Sequence, residues 1–528
     1  MSAAEHDVLV VGSGAAGAAI SWRLASRGAR VVCLEQGDWV SPDTVPKQHL
    51  DWEVRGRHYW NFSPAIRRGP SDFPLTNEGP DPVDCYFFSA VGGSTVGFGA
   101  QYWRLLPSDF RTRTLDEFGV DWPFGYDELA PYYDINEREV GVSGMAGDPT
   151  GPERPDPPLP PTSPGRLGQR WIDGFERLGW AWWPQDNAIV SRDYEGRGAC
   201  VNRNFCAFGC PSGSRSSADV SYWPKALKQG VELRTNATVA ELTLNRDGSA
   251  RGAIYYDAEG AAHEVRANRV VVCAGGVGTP RLLLMSASPS HPDGLANGSG
   301  LVGRNFMVHV QSIVVARFEE RIDAHAGAIG VVSSRQFYET DPANDFKRGF
   351  IVAGNRGYSP LLTALQHREW GEDHHRSLEG TLNHEAAIYV CGDDEPDPGN
   401  LVELNHGELD RHGLPGVRTH YELSDNSRKL GETAIGRGRE LGEAAGATSV
   451  RDFGLSPILG WHLLGTCRMG DDPRSSVTAA NNECHEVPNL FVADGSSLPT
   501  GGAINPANTI QAIALRAADR IWEGRNGH

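Results

Sequence analysis

The most constraining feature of the chain lies at its start. Asp7-Val8-Leu9-Val10-Val11 is a short apolar run of strand type, followed by Gly12-Ser13-Gly14-Ala15-Ala16-Gly17 and a helical pattern over Ala18–Ala25. A second strand, Arg30–Leu34, ends in Glu35. Strand, turn, helix, strand and terminal acid form a complete unit for holding a dinucleotide. Gly12 makes the tight turn, Gly14 lets a pyrophosphate approach the backbone, and Gly17 lets helix and strand pack closely. The helix N-terminus offers unpaired N–H groups and a positive dipole end to the phosphates. Glu35 can accept hydrogen bonds from ribose hydroxyls, which argues against a 2′-phosphate there.

Two distant stretches read as further pieces of the same nucleotide domain. Arg269–Val272 is a buried strand closing on Cys273-Ala274-Gly275-Gly276, and Asn489–Val492 runs into Ala493-Asp494-Gly495. A strand ending in Asp494-Gly495 can place a carboxylate and a backbone N–H near the flavin side of a bound FAD. Three pieces separated by long insertions suit a large flavoprotein better than a compact NAD enzyme. The 528 residues allow two domains. The formal net charge of −18 is scattered, which excludes nucleic acid and anionic lipid as partners. No run of about 18 apolar residues suggests a membrane span. No basic segment followed by an apolar stretch suggests a signal peptide. The nine cysteines are an odd number and favour free thiols in a reducing compartment, so the expected location is cytoplasmic. The sequence leaves the oligomeric state open.

Beyond the nucleotide unit, the chain carries Val91-Gly92-Gly93-Ser94-Thr95, Trp122-Pro123-Phe124-Gly125-Tyr126, Gly303-Arg304-Asn305-Phe306-Met307, His462-Leu463-Leu464-Gly465-Thr466-Cys467-Arg468-Met469-Gly470 and Asn505-Pro506-Ala507-Asn508-Thr509. With Gly12–Gly17 and Glu35, these resemble the glucose-methanol-choline (GMC) oxidoreductase family over nearly the whole chain. Within it the chain looks most similar to a bacterial branch of sugar oxidoreductases: pyranose oxidases, glycoside 3-oxidases and gluconate or fructose dehydrogenases. The resemblance implies an α/β fold, α+β overall. A Rossmann-like FAD-binding domain would be assembled from 1–60, 200–310 and 456–528. A substrate-binding domain, 311–455, would carry an antiparallel sheet backed by helices. Residues 61–199 would supply a flavin-covering loop and peripheral elements. The Pro-, Gly- and Asp-rich stretch 145–165 reads independently as an excursion or lid, as does 390–415. Besides Gly12, Gly14, Gly17 and Glu35, the expected cofactor contacts are Ala15, Gly93, Ser94, Thr95, Val239, Asp494, Gly495, Asn505, Pro506 and Thr509.

Alcohol oxidation by flavin needs a base for the hydroxyl proton and a C–H facing flavin N5. A neutral imidazole suits the first need because it titrates near working pH. The resemblance puts His462 in that role and pairs it with Asn505, which cannot titrate and would orient the hydroxyl. His309 follows Gly303–Met307, but Val308 stands where the family pattern has Asp, so His309 reads as structural. In some pyranose oxidases a His after Ser-Thr of the covering loop bonds covalently to the flavin. Here Val96 follows Ser94-Thr95, so the FAD is expected to be non-covalent.

Cys200, Cys206 and Cys210 have the spacing C-x5-C-x3-C, followed by Pro211. They resemble the segment that holds a three-iron cluster in membrane-linked sugar dehydrogenases, but no fourth cysteine is nearby, and packed thiols are the leading reading. The leading functional expectation is oxidation of a sugar or glycoside ring hydroxyl, at C3 or C2, to a ketone, with O2 or a quinone as acceptor. One alternative is the catalytic subunit of a gluconate- or fructose-type dehydrogenase with a haem partner. Another is a non-redox flavin-binding protein, against which the His462–Asn505 pair argues. Trp103, Trp370 and Tyr389 are aromatics suited to stacking on a sugar face, or to a core.

Overall fold

A computed structural model describes residues 6–40, 73–204, 206, 210–357, 363–364, 367, 369–455 and 458–524. Residues 41–60 of the expected FAD domain and 61–72 of the covering segment lie outside the described residues, as do Phe205 and 207–209 of the cysteine segment.

Two sheets organise the molecule. The first contains β1 (His6–Val11), β2 (Val31–Leu34), β3 (Glu232–Arg234), β4 (Thr238–Leu244), β5 (Ala250–Tyr256) and β6 (Ala262–Val272), in the order β3-β2-β1-β6-β5-β4. A short strand, Leu490–Val492, also pairs with β6. The strands around β1 are parallel: Val10 faces Cys33 on one side and Val271 on the other. Helices cover both faces of such a sheet, which is why β1 and β2 are nearly unbroken apolar runs. β6 changes partner along its length, pairing antiparallel with β5 over Ala262–Arg266 and parallel with β1 from Ala267 onward.

Helix α1 (Ala15–Ser26) leaves the β1 turn and buries Ala16, Ala18, Ala19, Ile20 and Leu24. Its small residues let it lie close to the sheet. Gly17 is obligatory there, since a Cβ would sit 1.8 Å from the Gly12 carbonyl oxygen. Helix α2 (Gly275–Met285) leaves the end of β6.

The second sheet holds β7 (Val310–Arg317), β8 (Gly330–Ser334), β9 (Phe350–Asn355), β10 (Glu385–Gly392) and β11 (Ser449–Asp452), in the order β11-β7-β10-β9-β8, with Trp183–Pro184 beyond β8. Every pairing is antiparallel. Helix α3 (Asp425–Ala444) backs one face. Its buried residues Ser427, Leu430, Gly431, Ala434, Ile435, Gly438, Leu441 and Gly442 follow helical spacing. Gly431 allows the close approach, as a Cβ there would meet Val310 Cγ1 at 2.5 Å. The opposite face carries Gln311, Ile313, Ala387 and Tyr389, with Asn355 at the end of β9, and this face turns toward the first sheet.

Candidate active site

A cavity of about 1020 Å³ lies between the two sheets. Its nucleotide wall is mostly main chain. Of the residues expected to touch the cofactor, Gly12, Gly14, Ala15, Glu35, Gly93, Ser94, Thr95, Val239, Asp494, Gly495, Asn505 and Pro506 line it. Gly17 and Thr509 do not. Gly17 packs under the turn, and the Thr509 hydroxyl is paired with Tyr133 at 2.7 Å.

The wall fits a dinucleotide. Gly12 has φ 96°, and a Cβ on it would meet the Cys273 carbonyl oxygen at 2.5 Å. The covering loop rests directly on the turn, because a Cβ on Gly93 would lie 2.7 Å from Gly14 Cα. No side chain caps the N-terminus of α1, so its first N–H groups remain available to phosphate. Glu35 is buried, and its carboxylate accepts from Ser13 N at 2.9 Å, Ser13 Oγ at 2.7 Å and Gly37 N at 2.8 Å. The acid thus braces the glycine turn from the cavity wall. Asp494 is a bracket: Oδ2 accepts from Gly275 N at 2.7 Å and Thr279 Oγ1 at 2.6 Å, and Oδ1 from Ser496 N at 2.8 Å.

At the other end of the cavity, His462 and Asn505 come together from segments 43 residues apart. Asn505 Nδ2 donates to His462 Nε2 at 3.1 Å. On its far side, His462 Nδ1 is 2.8 Å from His309 Nδ1, with the rings at 84°. The buried Asn505 Oδ1 has no hydrogen-bond partner. Burial, and secondarily the neighbouring His309 imidazole, hold His462 well below the usual imidazole value. Burial takes His309 down to about 4. Both rings are therefore neutral at working pH. Cys391 completes a group whose donor atoms lie within 4.8 Å of one another. The two Nδ1 atoms share one proton, and burial pushes the Cys391 thiol up to about 12.

Two stretches, residues 6–311 and 396–514, match family models described as GMC oxidoreductase. The chain belongs to the GMC oxidoreductase family. It is an FAD-dependent oxidoreductase, and the glycine cradle above is the part of it suited to FAD. This GMC chain is 42% identical to 2-methyl-1,2-propanediol dehydrogenase of Mycolicibacterium austroafricanum, over 98% of its own length and 96% of the relative's. It is 30% identical to the fructose dehydrogenase large subunit of Gluconobacter japonicus, over 98% and 97%. Formate oxidase of Aspergillus oryzae shares the fold, with a TM-score of 0.69 at 16% identity and 100% of both chains covered.

The structure adds residues to the GMC site that sequence reading passed over. Gln101, Gln311, Asn355 and Arg356 line the cavity. Gln101 Nε2 donates to Gln185 Oε1 at 2.8 Å, and the Tyr389 hydroxyl donates to Gln311 Oε1 at 2.9 Å. A polar residue inside an apolar strand, as Gln311 is in Val310–Arg317, was the available signal. Of the three aromatics considered for stacking, only Tyr389 lines the cavity. Trp103 is buried in a core cluster and Trp370 is 76% exposed. Trp461, stacked on Tyr86 with ring centroids 4.4 Å apart, lines it as well. His309, set apart in the sequence as structural, contacts His462 directly.

The cysteine segment packs beside this cavity. Cys206 is buried, and Cys200 and Cys210 are half-buried. Burial pushes Cys206 up to about 12. Burial also opposes ionisation of Cys210, but the Ser212 hydroxyl, the Arg215 backbone N–H and the Arg215 charge outweigh it and hold that thiol below its usual value. Arg215 is itself buried, donates to the carbonyls of Val96 and Cys206, and forms no ion pair with a carboxylate among the described residues. Among those residues, no helix is long and apolar enough to cross a membrane.

Proposed function

We propose that this chain oxidises one carbinol of a substrate carrying neighbouring hydroxyl groups, a small diol, polyol or sugar, to the carbonyl. FAD, when bound, supplies the hydride acceptor. The His462–Asn505 pair at the cavity wall carries this reading. An alcohol oxygen inserted between the two accepts from Asn505 Nδ2 and donates its proton to His462 Nε2. The neutral imidazole is the general base. Identity of 42% to an enzyme named for a vicinal diol supports the same class, and the fructose dehydrogenase relative supports its extension to sugars. In this reading 1–60, 200–310 and 456–528 form the FAD domain and 311–455 the substrate domain.

The FAD is held without a covalent bond. Val96 offers no nucleophile. The thiols of Cys85 and Cys273, on the cavity wall, are raised by burial, the first to about 12, and thiols kept protonated are poor nucleophiles. Acid precipitation should leave yellow FAD in the supernatant, and flavin retained in the pellet contradicts this.

The deciding experiment is anaerobic mixing with a panel of vicinal diols, free sugars, aryl glycosides, monohydric alcohols and sterols, read as loss of oxidised-flavin absorbance. Bleaching by diols or sugars is expected. Bleaching confined to monohydric alcohols or sterols rejects the neighbouring-hydroxyl reading. Reoxidation of the bleached enzyme by O2 or by a quinone then identifies the acceptor.

A second reading concerns Cys200, Cys206 and Cys210. The buried Arg215 charge, which faces Asp219 and also a thiol held below its usual value, favours an anionic iron–sulfur cluster. Such a cluster would supply one-electron transfer. Brown protein with stoichiometric iron supports it, and a purely yellow, iron-free protein rejects it.

A further inference from the structure

We infer that His309 is a positioning residue that fixes the ring tautomer of His462, keeping the Nε2 lone pair on the side of Asn505 and the cavity. This inference rests on the reading of His462 as the base. Asn505 Nδ2 can only donate, so His462 Nε2 must accept. A neutral imidazole then carries its proton on Nδ1, and that N–H donates to His309 Nδ1 at 2.8 Å. His309 in turn holds its own proton on Nε2. That atom is buried against Gly501, where a Cβ would come within 2.6 Å of it, and it meets no hydrogen-bond acceptor within range among the described residues. The three residues form one chain with a single direction. The opposite tautomer of His462 would set an N–H against the Asn505 amide N–H.

His309 is held for this task by strained and braced backbone. Its φ is 62°, in the left-handed region that a non-glycine residue seldom adopts. The preceding residue is clamped from both sides. Val308 N donates to Asp394 Oδ2 at 3.0 Å, and Val308 O accepts from Gln311 Nε2 at 2.8 Å. Asp394 also accepts from the Tyr421 hydroxyl at 2.7 Å, and Gln311 Oε1 accepts from Tyr389.

The surroundings explain why the orienting group is an imidazole. Among the described residues, no carboxylate is hydrogen-bonded to either ring. The titratable groups around the pair are Cys391 and Tyr389 on β10 and Asp394, which reaches only the Val308 backbone. Burial keeps the Cys391 thiol and the Tyr389 phenol protonated. A neutral acceptor sets the tautomer without stabilising an imidazolium, so His462 remains a base at rest.

The test uses FAD-loaded enzyme and three substitutions, with His462→Ala as reference, each followed by anaerobic rapid-mixing reduction across pH. In His309→Asn, Oδ1 occupies the place of Nδ1, and Asn tolerates positive φ, so reduction should stay within about tenfold of wild type. His309→Ala removes the acceptor. A general base in the wrong tautomer loses up to about 10⁴ in rate, and a loss on the order of 10²–10⁴ with normal flavin content is expected. The midpoint of the pH profile should rise from wild type to His309→Asn and further to His309→Asp, as the partner better stabilises a protonated His462. The inference is overturned if His309→Ala reduces its flavin at the wild-type rate, or if His309→Asn is as slow as His309→Ala. It is also overturned if the midpoint is the same in wild type, His309→Asn and His309→Asp. Should His309→Ala fail to retain flavin, the midpoints of the other two decide. A His462→Ala enzyme that is still fast removes the base assignment itself, a result distinct from any of these.

Discussion

The two walls of the cavity recognise their ligands by different chemistry. The nucleotide wall works through the main chain: glycines whose missing side chains make room, and the N-terminus of α1, whose N–H groups no side chain caps. The opposite wall works through side chains on the antiparallel sheet and its flanks, among them Gln311, Tyr389, Asn355, His462 and Asn505. Main-chain recognition admits almost no substitution, because the shape of the backbone is the site. Side-chain recognition can be retuned residue by residue on an unchanged sheet. A fold of this kind keeps one cofactor while its substrate varies, and the two walls should answer differently to mutation.

The largest contrast is expected from His462→Ala. It removes the proposed base and leaves the glycine cradle intact. A positioned base is worth about 10²–10⁴ in rate, or roughly 3–5 kcal/mol at 1.36 kcal/mol per decade. Flavin content and melting temperature should match wild type while reduction by substrate nearly stops. Asn505→Ala should slow reduction less, since it misplaces the hydroxyl but removes no base.

Gly12→Ala should do the reverse. Positive φ costs a non-glycine residue on the order of 1–3 kcal/mol, and crowding the Cys273 carbonyl adds overpacking of about 1–3 kcal/mol. The variant should melt at lower temperature and purify with little flavin, yet whatever fraction is FAD-loaded should turn over normally. Full flavin content in Gly12→Ala would break the contrast between the walls.

This division also explains what the sequence disclosed. Gly12, Gly14 and Glu35 are constrained by local backbone geometry, so a spacing of a few residues reveals them, and the structure places all three on the cavity. His462 and Asn505 were legible only through the motifs around them. The rest of the substrate wall was not legible. Gln101, Gln311, Asn355 and Tyr389 reach it from a loop and three strands spread over nearly 290 residues, and no local pattern connects them. His309 reads as structural in the sequence because Val308 stands where a carboxylate was expected; the structure sets its ring against His462, and Asp394 reaches the Val308 backbone across the fold. Thr509 was placed at the cofactor by its motif, yet its side chain turns to Tyr133 behind the wall.

Glu35→Ala is a smaller perturbation of the main-chain wall. It deletes the acceptor proposed for the ribose hydroxyls and also the three bonds bracing Ser13 and Gly37. Bonds to a charged group contribute about 1.5–3 kcal/mol, so FAD affinity, read by equilibrium titration of the apoenzyme, should weaken by roughly that amount. The reduction rate at saturating FAD should not change. A changed rate would mean that the two walls are coupled through the turn.

The smallest effect concerns pH, and it separates site from scaffold. His462 is held well below the usual imidazole value, so in the folded enzyme it is already neutral at pH 6.5. The base is competent when neutral, and the rate is lost only as pH falls through the lowered value. Anaerobic reduction should therefore vary by less than about twofold between pH 6.5 and 8, with its midpoint on the acid side of 6.5. Melting temperature should not follow the same curve. A depressed imidazole such as His309, near 4 when folded against 6.5 unfolded, makes stability decline as pH drops below 6.5. Asp393 and Asp394, raised by burial to about 7 and about 6 from 3.8, act in the opposite sense: their stabilisation is present in acid and lost as pH rises through those values. The two sets oppose each other over the same window, so stability should not follow the rate there. A rate that tracks melting temperature across this range would place the acid limb in unfolding, and a midpoint at or above 6.5 would mean that the titrating base is not a buried imidazole.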